Sequence, residues 1–320
     1  MMTLSYTTAT SGLAPIPASE RDLPAATAEP FFKVSDERIP LEGPAFDRHG
    51  NLLFVDIYNS RVLCLSPDRQ LSVVYTEQNL NPAGIAIHKD GRIFVAACGA
   101  RNGKGYFEAG TVICLDPDGS KRQTILAPAD GYLPNDLVFD AAGGFYMSDF
   151  RGSSTRADGG IYYFTPDFKT ITPVLPNMRM ANGVAISPDG KVLWATEFAA
   201  CRLHRADLTA PTLVAQTGSS VPYQFVGPGP DSMRTDSDGN VYVAINRQGR
   251  ILVFNPYGIP IGQILLPGRE HNHFLRCTSL ALTPGSRDLF IVARDEVGNG
   301  GTMIFKARGF AEGFPMFSHQ

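Results

Sequence analysis

The feature that most constrains the fold is a repeat of strands and turns. A short apolar strand, a polar turn with glycine and a second apolar strand recur six times along the 320 residues. The turn glycines are spaced 41 to 52 residues apart, within the range of β-propeller repeats, in which each repeat forms one blade. These glycines are Gly50, Gly91, Gly143, Gly190, Gly239 and Gly285.

The composition of the strands favours the same fold class. The strands are rich in Val, Ile, Phe, Tyr and Leu, and the apolar residues show little of the 3.6-residue period of helices. The sequence therefore predicts an all-β protein with the architecture of a six-bladed β-propeller. A β-sandwich is the alternative all-β arrangement, but six phased repeats fit it poorly.

The two ends of the chain indicate how the ring closes. The last repeat, LTPGSRDLFIVARDEVGNGGTMIFKARG, supplies only three strands. The early segment from Phe31 to Ser35 is a strand without a partner in its own repeat. We predict that this N-terminal strand pairs with the last blade and closes the propeller. Residues 1–320 then form a single domain, with residues 1–28 as a leader that is flexible or draped on the surface.

Composition excludes several classes of protein. The chain is 43% hydrophobic, which argues against disorder, and its net charge of -3 comes without the basic run expected of a nucleic-acid partner. No apolar run reaches the roughly 18 residues of a membrane span, and the N-terminus lacks the features of a signal peptide. The odd number of cysteines, with no C-x-x-C pair, favours reduced thiols and a cytoplasmic location. These are Cys64, Cys98, Cys114, Cys201 and Cys277.

Polar residues recur at one phase of the repeat. Eight positions before each turn glycine lie Glu42, Ala83, Asn135, Asn182, Asp231 and Cys277. The first strand of a propeller blade lines the central channel, so equal phase places these six positions on one ring at one mouth of the channel. Four of the six side chains carry oxygen atoms that can accept hydrogen bonds or bind a cation.

This ring of oxygens predicts a site for a hard cation. Calcium takes six to eight oxygen ligands, including carboxylates and amides, and the charges of Glu42 and Asp231 would balance a divalent ion. The absence of His and Cys among the four disfavours a soft-metal site. Alternatively, each polar residue caps a turn at the start of its strand, since Asn-Gly and Pro-Asp-Ser are ordinary turn sequences.

Several motifs, taken together and in order, resemble a known family. They include LEGPAFDRHG, NPAGIAIHKDGRIFV, NDLVFDAAGGFYMSDFRG, GGIYYFTPDF, ANGVAIS, KVLWATE, GPDSMRTDSDGNVYVA and YGIPIGQILLPGR. Over nearly its whole length the chain is similar to the senescence marker protein/gluconolactonase/luciferin-regenerating-enzyme family. Within that family it most resembles the bacterial drug-responsive lactonases.

The resemblance implies a calcium ion at the channel mouth and hydrolysis of lactones. Carried over by position, the metal ligands are Glu42, Asn135, Asn182 and Asp231, with Ser232 as a further ligand and Asp231 as the catalytic acid and base. Other divalent cations could substitute for calcium. The chain has Asn135-Asp136 where the drug-responsive lactonases tend to have Asp-Asp. It also has Leu133 where sugar-lactone hydrolases carry Arg, which favours a less polar lactone.

Other residues are weaker candidates. The resemblance offers Glu108, Gly110 and Asp130 as ligands of a second calcium ion. The pattern His271-Asn272-His273 is more typical of a solvated loop than of a metal site, although His273 could reach the channel mouth. Asp149 and Arg151 form an ion pair between blades or line the pocket. Three aromatic residues hint at a hydrophobic lid, and the only tryptophan, Trp194, is expected in the core of a blade. The lid candidates are Phe107, Tyr132 and Phe225.

Two other functions stay open from the sequence. A non-catalytic propeller could use the same fold to bind a peptide, a sugar or a protein partner. A related hydrolase could act on sugar lactones, as gluconolactonase does, or cleave phosphotriesters at the same metal. No G-x-S-x-G motif supports a serine hydrolase. The expected partner is a small-molecule lactone, without nucleic acid or membrane, and the sequence does not indicate the oligomeric state.

Overall fold

The computed structural model describes residues 3–7 and 10–320 as an all-β structure. The strands in chain order are β1 Ala25–Thr27, β2 Glu29–Ser35, β3 Leu41–Phe46, β4 Leu52–Asp56, β5 Arg61–Leu65, β6 Leu71–Thr76, β7 Pro82–Ile87, β8 Ile93–Ala97, β9 Thr111–Leu115, β10 Gln123–Leu126, β11 Pro134–Phe139, β12 Phe145–Asp149, β13 Gly159–Phe164, β14 Ile171–Met178, β15 Ala181–Ile186, β16 Val192–Glu197, β17 Arg202–Ala210, β18 Leu213–Gln224, β19 Pro230–Thr235, β20 Val241–Ile245, β21 Arg250–Phe254, β22 Pro260–Leu265, β23 Arg276–Leu282, β24 Asp288–Arg294 and β25 Thr302–Arg308. The described helices are short 3-10 turns at Ala18–Glu20, Pro128–Asp130, Phe198–Ala200, Arg269–His271 and Phe317–His319.

These strands form six sheets, which are the blades of a β-propeller. The first four blades are β3–β6, β7–β10, β11–β14 and β15–β18, each a meander of antiparallel strands. The first strands of neighbouring blades contact one another all round, including β23 against β3, so they enclose a central channel. The six-bladed propeller predicted from the repeat is confirmed.

The N-terminal segment contributes strands to the last two blades. The fifth blade, β19–β22, gains β1, which runs parallel to β22. The sixth blade consists of β23–β25 and β2, and β2 is antiparallel to β25, with Glu29 opposite Lys306. The last repeat thus supplies three strands, and the outer strand of its blade comes from the beginning of the chain.

Apolar side chains fill the spaces within and between the blades. Trp194, of which 1% is exposed, packs with Val243 and Leu252 between the fourth and fifth blades, as predicted for a core residue. The six turn glycines all have positive φ, from 67° to 91°, which glycine adopts without the steric cost of a Cβ atom. Each blade thus presents an apolar face to its neighbour and turns back through a glycine.

The two termini pack against the propeller. Glu20, in the leader, is buried and forms an ion pair with Arg250 and a hydrogen bond with Tyr223. At the other terminus, residues 314–319 and side chains of the inner strands surround a cavity of only 40 Å³. The C-terminal segment therefore covers this end of the channel. Met1, Met2, Thr8 and Ala9 of the predicted leader lie outside the described residues.

Two further observations concern cysteines and membranes. All five cysteines are free thiols, three of them buried and two, Cys64 and Cys201, half-buried. No described helix is long and apolar enough to cross a membrane.

Candidate active site

A bulge interrupts every inner strand near the predicted ring. The pairing of each first strand with the second strand of its blade shifts register there, for example between Ala181 and Val184 and between Pro230 and Met233. The same shift occurs in the other four blades. Because a bulge turns the side chains of its extra residue and its neighbours, it can direct polar groups towards the channel.

Glycines beside the ring residues allow the inner strands to approach closely. A Cβ atom on Gly183 would lie 2.6 Å from the carbonyl oxygen of Asp231, and one on Gly84 would lie 2.4 Å from that of Asn135. Such contacts exclude any larger residue at these positions. This explains the Asn182-Gly183 pair, in which one residue faces the channel and the next admits the neighbouring strand.

Side-chain hydroxyl groups form hydrogen bonds with the backbone amides and carbonyls that the bulges leave unpaired. The buried Thr196 Oγ1 accepts a hydrogen bond from the Gly183 amide at 2.7 Å and donates one to the Asp231 carbonyl at 2.8 Å. In the third blade, Ser148 Oγ accepts from the Asp136 amide at 2.9 Å. Thr196 therefore links the fourth blade to the backbone of a predicted catalytic residue in the fifth.

The predicted site residues converge although they are far apart in the sequence. Ser232 Oγ donates a hydrogen bond to Glu42 Oε2 over 3.3 Å, which joins the fifth blade to the first across the ring. The amide of Asn182 interacts with the Asp231 carboxylate and lowers its pKa. All four are buried, with 1% to 6% of each residue exposed. Asn135 is half-buried, and its side chain makes no hydrogen bond with the described part of the chain.

An ion pair crosses the channel beside this ring. Arg234 Nη1 in the fifth blade lies 2.9 Å from Asp136 Oδ2 in the third blade, so the pair connects two blades that are not neighbours. Both residues are buried. Asp136, which stands next to Asn135, is thus neutralised by Arg234. The remaining negative charges of the ring are those of Glu42 and Asp231.

The two remaining carboxyl groups favour their protonated forms in the metal-free protein. Burial raises the pKa of Glu42 well above its ordinary value, and the carboxylates of Asp231 and Asp136 raise it further. Burial also raises the pKa of Asp231 to about 7, despite hydrogen bonds from Asn246 and Asn182 that lower it. Charged groups buried without a counter-charge are disfavoured, so a cation among them would stabilise the ionised forms.

The donor atoms fit a hard divalent cation. The Oδ1 atom of Asn182 is buried and has no hydrogen-bond partner among the described residues. A metal ligand bond would satisfy such an oxygen, and calcium accepts both amide and carboxylate oxygens. Within residues 3–7 and 10–320, no cluster of three or more His, Cys, Asp or Glu side chains could hold a metal.

The structure adds two residues that the sequence reasoning missed. Asn246, directly after β20, donates from Nδ2 to Asp231 Oδ2 at 2.8 Å, and its Oδ1 is buried without a partner in the described chain. The other residue is Arg234, which neutralises Asp136. Neither residue lies at the repeated phase of the ring. Asn246 directly follows the second strand of its blade, and the preceding three blades have an apolar residue at that place, namely Cys98, Phe150 and Phe198. This change from apolar to polar is the only signal for Asn246 in the sequence.

An apolar surface adjoins the ring. Ala83, Cys98 and Leu133 form a buried cluster against Phe107 and Phe150. The cluster lies beside the ring because Ala83 occupies one of the six ring positions. Burial, and after it the charge of Glu42, raise the pKa of Cys98 to about 12. Three of the cluster residues, Leu133, Phe107 and Phe150, also line a cleft of 1030 Å³. The cleft therefore adjoins the apolar cluster that lies beside the ring.

The structure also places the remaining aromatic candidates. Tyr132 packs edge-on against Tyr162 and beneath Arg151, beside the cleft. Phe225 is buried between Tyr223 and Phe254 in the core, so it does not belong to a lid.

The charged candidates make contacts of their own. Asp149 and Arg151 form an ion pair of 2.6 Å, but it lies within the third blade rather than between blades. His273 Nδ1 lies 2.8 Å from the buried Asp295. Glu108 and Asp130 accept hydrogen bonds from Asn102 and the Ala127 amide, respectively, so the second calcium site stays a prediction.

Fold and site together define a six-bladed β-propeller with a buried ring of oxygen donors at the mouth of its channel. The sequence profile of the SMP-30/Gluconolactonase/LRE-like region matches residues 41–294. The chain is 46% identical to Lactonase drp35 of Staphylococcus saprophyticus over 97% of this chain and 95% of that protein. It is 42% identical to Lactonase drp35 of Staphylococcus aureus, covering 99% and 98% of the two chains. This chain belongs to the SMP-30/gluconolactonase/LRE-like family, as its motifs predicted.

Solved structures show the same fold. Regucalcin of Agrobacterium tumefaciens, described as a calcium-binding protein, superposes with a TM-score of 0.72 at 16% identity, covering 91% of this chain and 98% of that chain. A putative gluconolactonase gives a TM-score of 0.70 at 20% identity, covering 92% and 96%. At these identities the likeness establishes the propeller fold alone.

Proposed function

We propose that this protein is a calcium-dependent lactonase that hydrolyses the ester bond of a small, weakly polar lactone to the hydroxy acid. The observation that carries the proposal is the convergence of Glu42, Asn182, Asp231 and Ser232 on one buried ring. Two relatives named lactonases, 46% and 42% identical to this chain, support the class of reaction. A binding scaffold has no need of buried carboxyl groups without counter-charges.

Five residues would hold the calcium ion. They are Glu42, Asn135, Asn182 and Asp231, with Ser232 as a further ligand. Their two free negative charges match a divalent cation, because Arg234 already neutralises Asp136. When bound, calcium would act as a Lewis acid on the lactone carbonyl and stabilise the negative charge of the tetrahedral intermediate.

Asp231 would move the proton in this reaction. It would orient a water molecule and accept its proton while the water oxygen forms a bond to the carbonyl carbon. The bond between the carbonyl carbon and the ester oxygen of the lactone then breaks, and Asp231 returns the proton to the leaving alkoxide. Asn246 holds Oδ2 of the carboxylate at 2.8 Å, which fixes the orientation of the acid and base. The hydroxy acid contains the atoms of the lactone and one water, so no other reactant is needed.

Replacement of Asp231 tests this role. Asp231→Asn keeps the size of the side chain but cannot accept the proton, so we expect kcat to fall about 10²–10⁴-fold. Steady-state kinetics at saturating calcium measures the change, with Asp238→Asn, in the turn after the same strand, as the control. Near-full activity of Asp231→Asn with calcium bound would show that another group moves the proton.

The apolar surface beside the ring supports a substrate of low polarity. Leu133, of which 5% is exposed, lies two residues before Asn135 in a cluster with Ala83 and Cys98. These side chains offer no hydrogen bonds to the hydroxyl groups of a sugar lactone, and burial of unpaired hydroxyl groups is unfavourable. The cleft of 1030 Å³ leaves room for an apolar substituent on the lactone ring.

A panel of lactones tests the function directly. We expect the protein to hydrolyse an aliphatic or aromatic lactone faster than a sugar lactone in a pH-stat, to lose activity with EGTA and to regain it with calcium. Faster hydrolysis of the sugar lactone would contradict the proposal that the substrate is weakly polar, but it would leave the proposed lactonase reaction standing. Absence of hydrolysis in calcium-loaded protein would contradict the lactonase proposal.

A further inference from the structure

One buried arginine outside the candidate active site lacks a negative partner. Only 7% of Arg269, in the turn between β22 and β23, is exposed. Its guanidinium group donates from Nε to the Gln248 carbonyl at 2.9 Å and from Nη2 to the Ala14 carbonyl, and Nη1 donates to no described residue. A buried guanidinium is normally paired with a carboxylate, because removal of its charge from water is costly.

The surroundings of Arg269 do not supply that carboxylate. No Asp or Glu oxygen of the described chain lies within 4.0 Å of it, and the four residues outside the description, Met1, Met2, Thr8 and Ala9, have no acidic side chains. The nearby Glu20 is paired with Arg250, and Glu270 lies beside His271. Burial, and after it the charge of Arg250, lower the pKa of Arg269 to about 10, although the charge of Glu270 raises it.

A cavity lies directly against this guanidinium. It measures 130 Å³ and is lined by Arg269 and Glu270 of the propeller and by leader residues Gly12, Ala14, Pro15, Ile16 and Arg21. Arg21 donates from Nε to the Ile16 carbonyl at 3.1 Å and has no acidic partner in the described chain. Two arginines against one glutamate leave one positive charge on the lining. The volume suits a small anion, since one water molecule occupies about 30 Å³ in the liquid.

We propose that this cavity binds a small oxyanion, such as a carboxylate or a sulfate-like ion, between the leader and the propeller. Its negative oxygens would accept hydrogen bonds from the unused donors of Arg269 and Arg21. Charge-assisted hydrogen bonds of this kind are about twice as strong as neutral ones. Because Gly12, Ala14 and Arg21 belong to the leader and Arg269 to the propeller, a bound anion would fasten the leader onto the fifth blade.

Calorimetric titration with simple anions tests the site. Sodium acetate and sodium sulfate are titrated into the purified full-length protein at constant ionic strength, with sodium chloride as the reference salt. We expect saturable binding of one anion per chain to the wild type. Arg269→Met, which removes the charge and keeps the length, should weaken binding about tenfold or more, since each lost charge-assisted hydrogen bond is worth about that factor.

Two further variants make the test independent of folding defects. Arg21→Met changes an exposed residue, so it should fold normally and still weaken the binding of the anion. Arg287→Met is the matched control, because Arg287 is also exposed and donates from Nε to a backbone carbonyl, that of Gly309, away from the cavity. Absence of saturable binding to the wild type, or equal binding to Arg21→Met and the wild type, would overturn the proposal. Lactone hydrolysis takes no part in this test, so the result is independent of the proposed function.

Discussion

At the scale of single residues, Asn246 is the least expected member of the candidate site. It contacts Asp231 but none of the other proposed metal ligands through a hydrogen bond in the described structure. We expect Asn246→Ala to lower kcat and calcium affinity about 10–100-fold, the usual effect of removing a group that orients a metal ligand. Steady-state kinetics and calorimetric titration with calcium measure the two quantities.

A matched variant separates positioning from stability. Asn240 donates from Nδ2 to the buried Asp236 at 2.9 Å in the same blade, so Asn240→Ala removes the same kind of bond away from the ring. It should lower the free energy of unfolding while kcat and KM change little. If both variants lost kcat to the same extent, Asn246 would act only through the stability of the fifth blade.

The sequence predicted the ring residues but not those that support them. Glu42, Asn135, Asn182 and Asp231 could be proposed because the repeat places them at one phase. Asn246 follows a second strand, where the preceding blades carry Cys98, Phe150 and Phe198 instead of polar residues. Arg234 could not be paired with Asp136 in advance, since their contact crosses the channel between blades that are not neighbours.

At the scale of secondary-structure elements, the bulges decide where the site side chains point. Thr196 fills the bulge of β15, and its hydroxyl satisfies both the Gly183 amide and the Asp231 carbonyl. We expect Thr196→Val, which has nearly the same shape, to lower the free energy of unfolding by about 1–3 kcal/mol for each buried group left unsatisfied. Urea denaturation measures this loss.

A conservative replacement serves as the control for Thr196. Thr196→Ser keeps the hydroxyl and should restore most of the stability that the valine variant loses. Equal destabilisation by serine and valine would show that the methyl group of Thr196, rather than its hydroxyl, supports the bulge.

Strands and turns were predictable, whereas bulges and the fifth strand of one blade were not. Runs of Val, Ile and Phe ending in Asp-Gly turns identify the strands, but a bulge adds a residue without changing that composition. The strand β1, Ala25–Thr27, consists of exposed small residues and joins its blade through backbone hydrogen bonds. Such pairing leaves no apolar pattern in the sequence.

At the scale of the whole molecule, the charge of the ring links stability to pH and calcium. Asp231 has an ordinary pKa of 3.8 and a pKa of about 7 in the metal-free fold. Between these values the folded state holds a proton that the unfolded state releases, so raising the pH destabilises the fold. We expect the calcium-free protein to lose stability from about pH 4 to about pH 7, with the raised pKa of Glu42 acting in the same direction.

Calcium should abolish most of this loss, because it replaces the proton as the partner of the carboxylates. The quantity to measure is the difference in Tm between calcium-loaded and EGTA-treated protein at each pH, since groups far from the ring cancel in that difference. It should grow as the pH rises from 4 to 7. A difference that is independent of pH would mean that calcium does not bind at Glu42 and Asp231.

The propeller as a whole was predictable because six phased repeats leave few other ways to bury their apolar faces. The packing of the leader was not, because its contacts depend on single polar residues. Glu20 is buried against Arg250, yet the leader around it, PIPASERDLP, has no apolar periodicity. The ion pair joins two residues that are 230 positions apart, and a single sequence contains no pattern that would predict such a contact.

Calorimetric titration of calcium into protein stripped with EGTA tests the proposed calcium site most directly. We expect tight binding at the ring in the wild type and strong weakening in Glu42→Gln, which removes one of the two free charges. Glu77→Gln, which changes a carboxylate paired with Arg122, is the control and should bind calcium like the wild type. Failure of the wild type to bind calcium, or equal binding by Glu42→Gln, would contradict the proposed metal site.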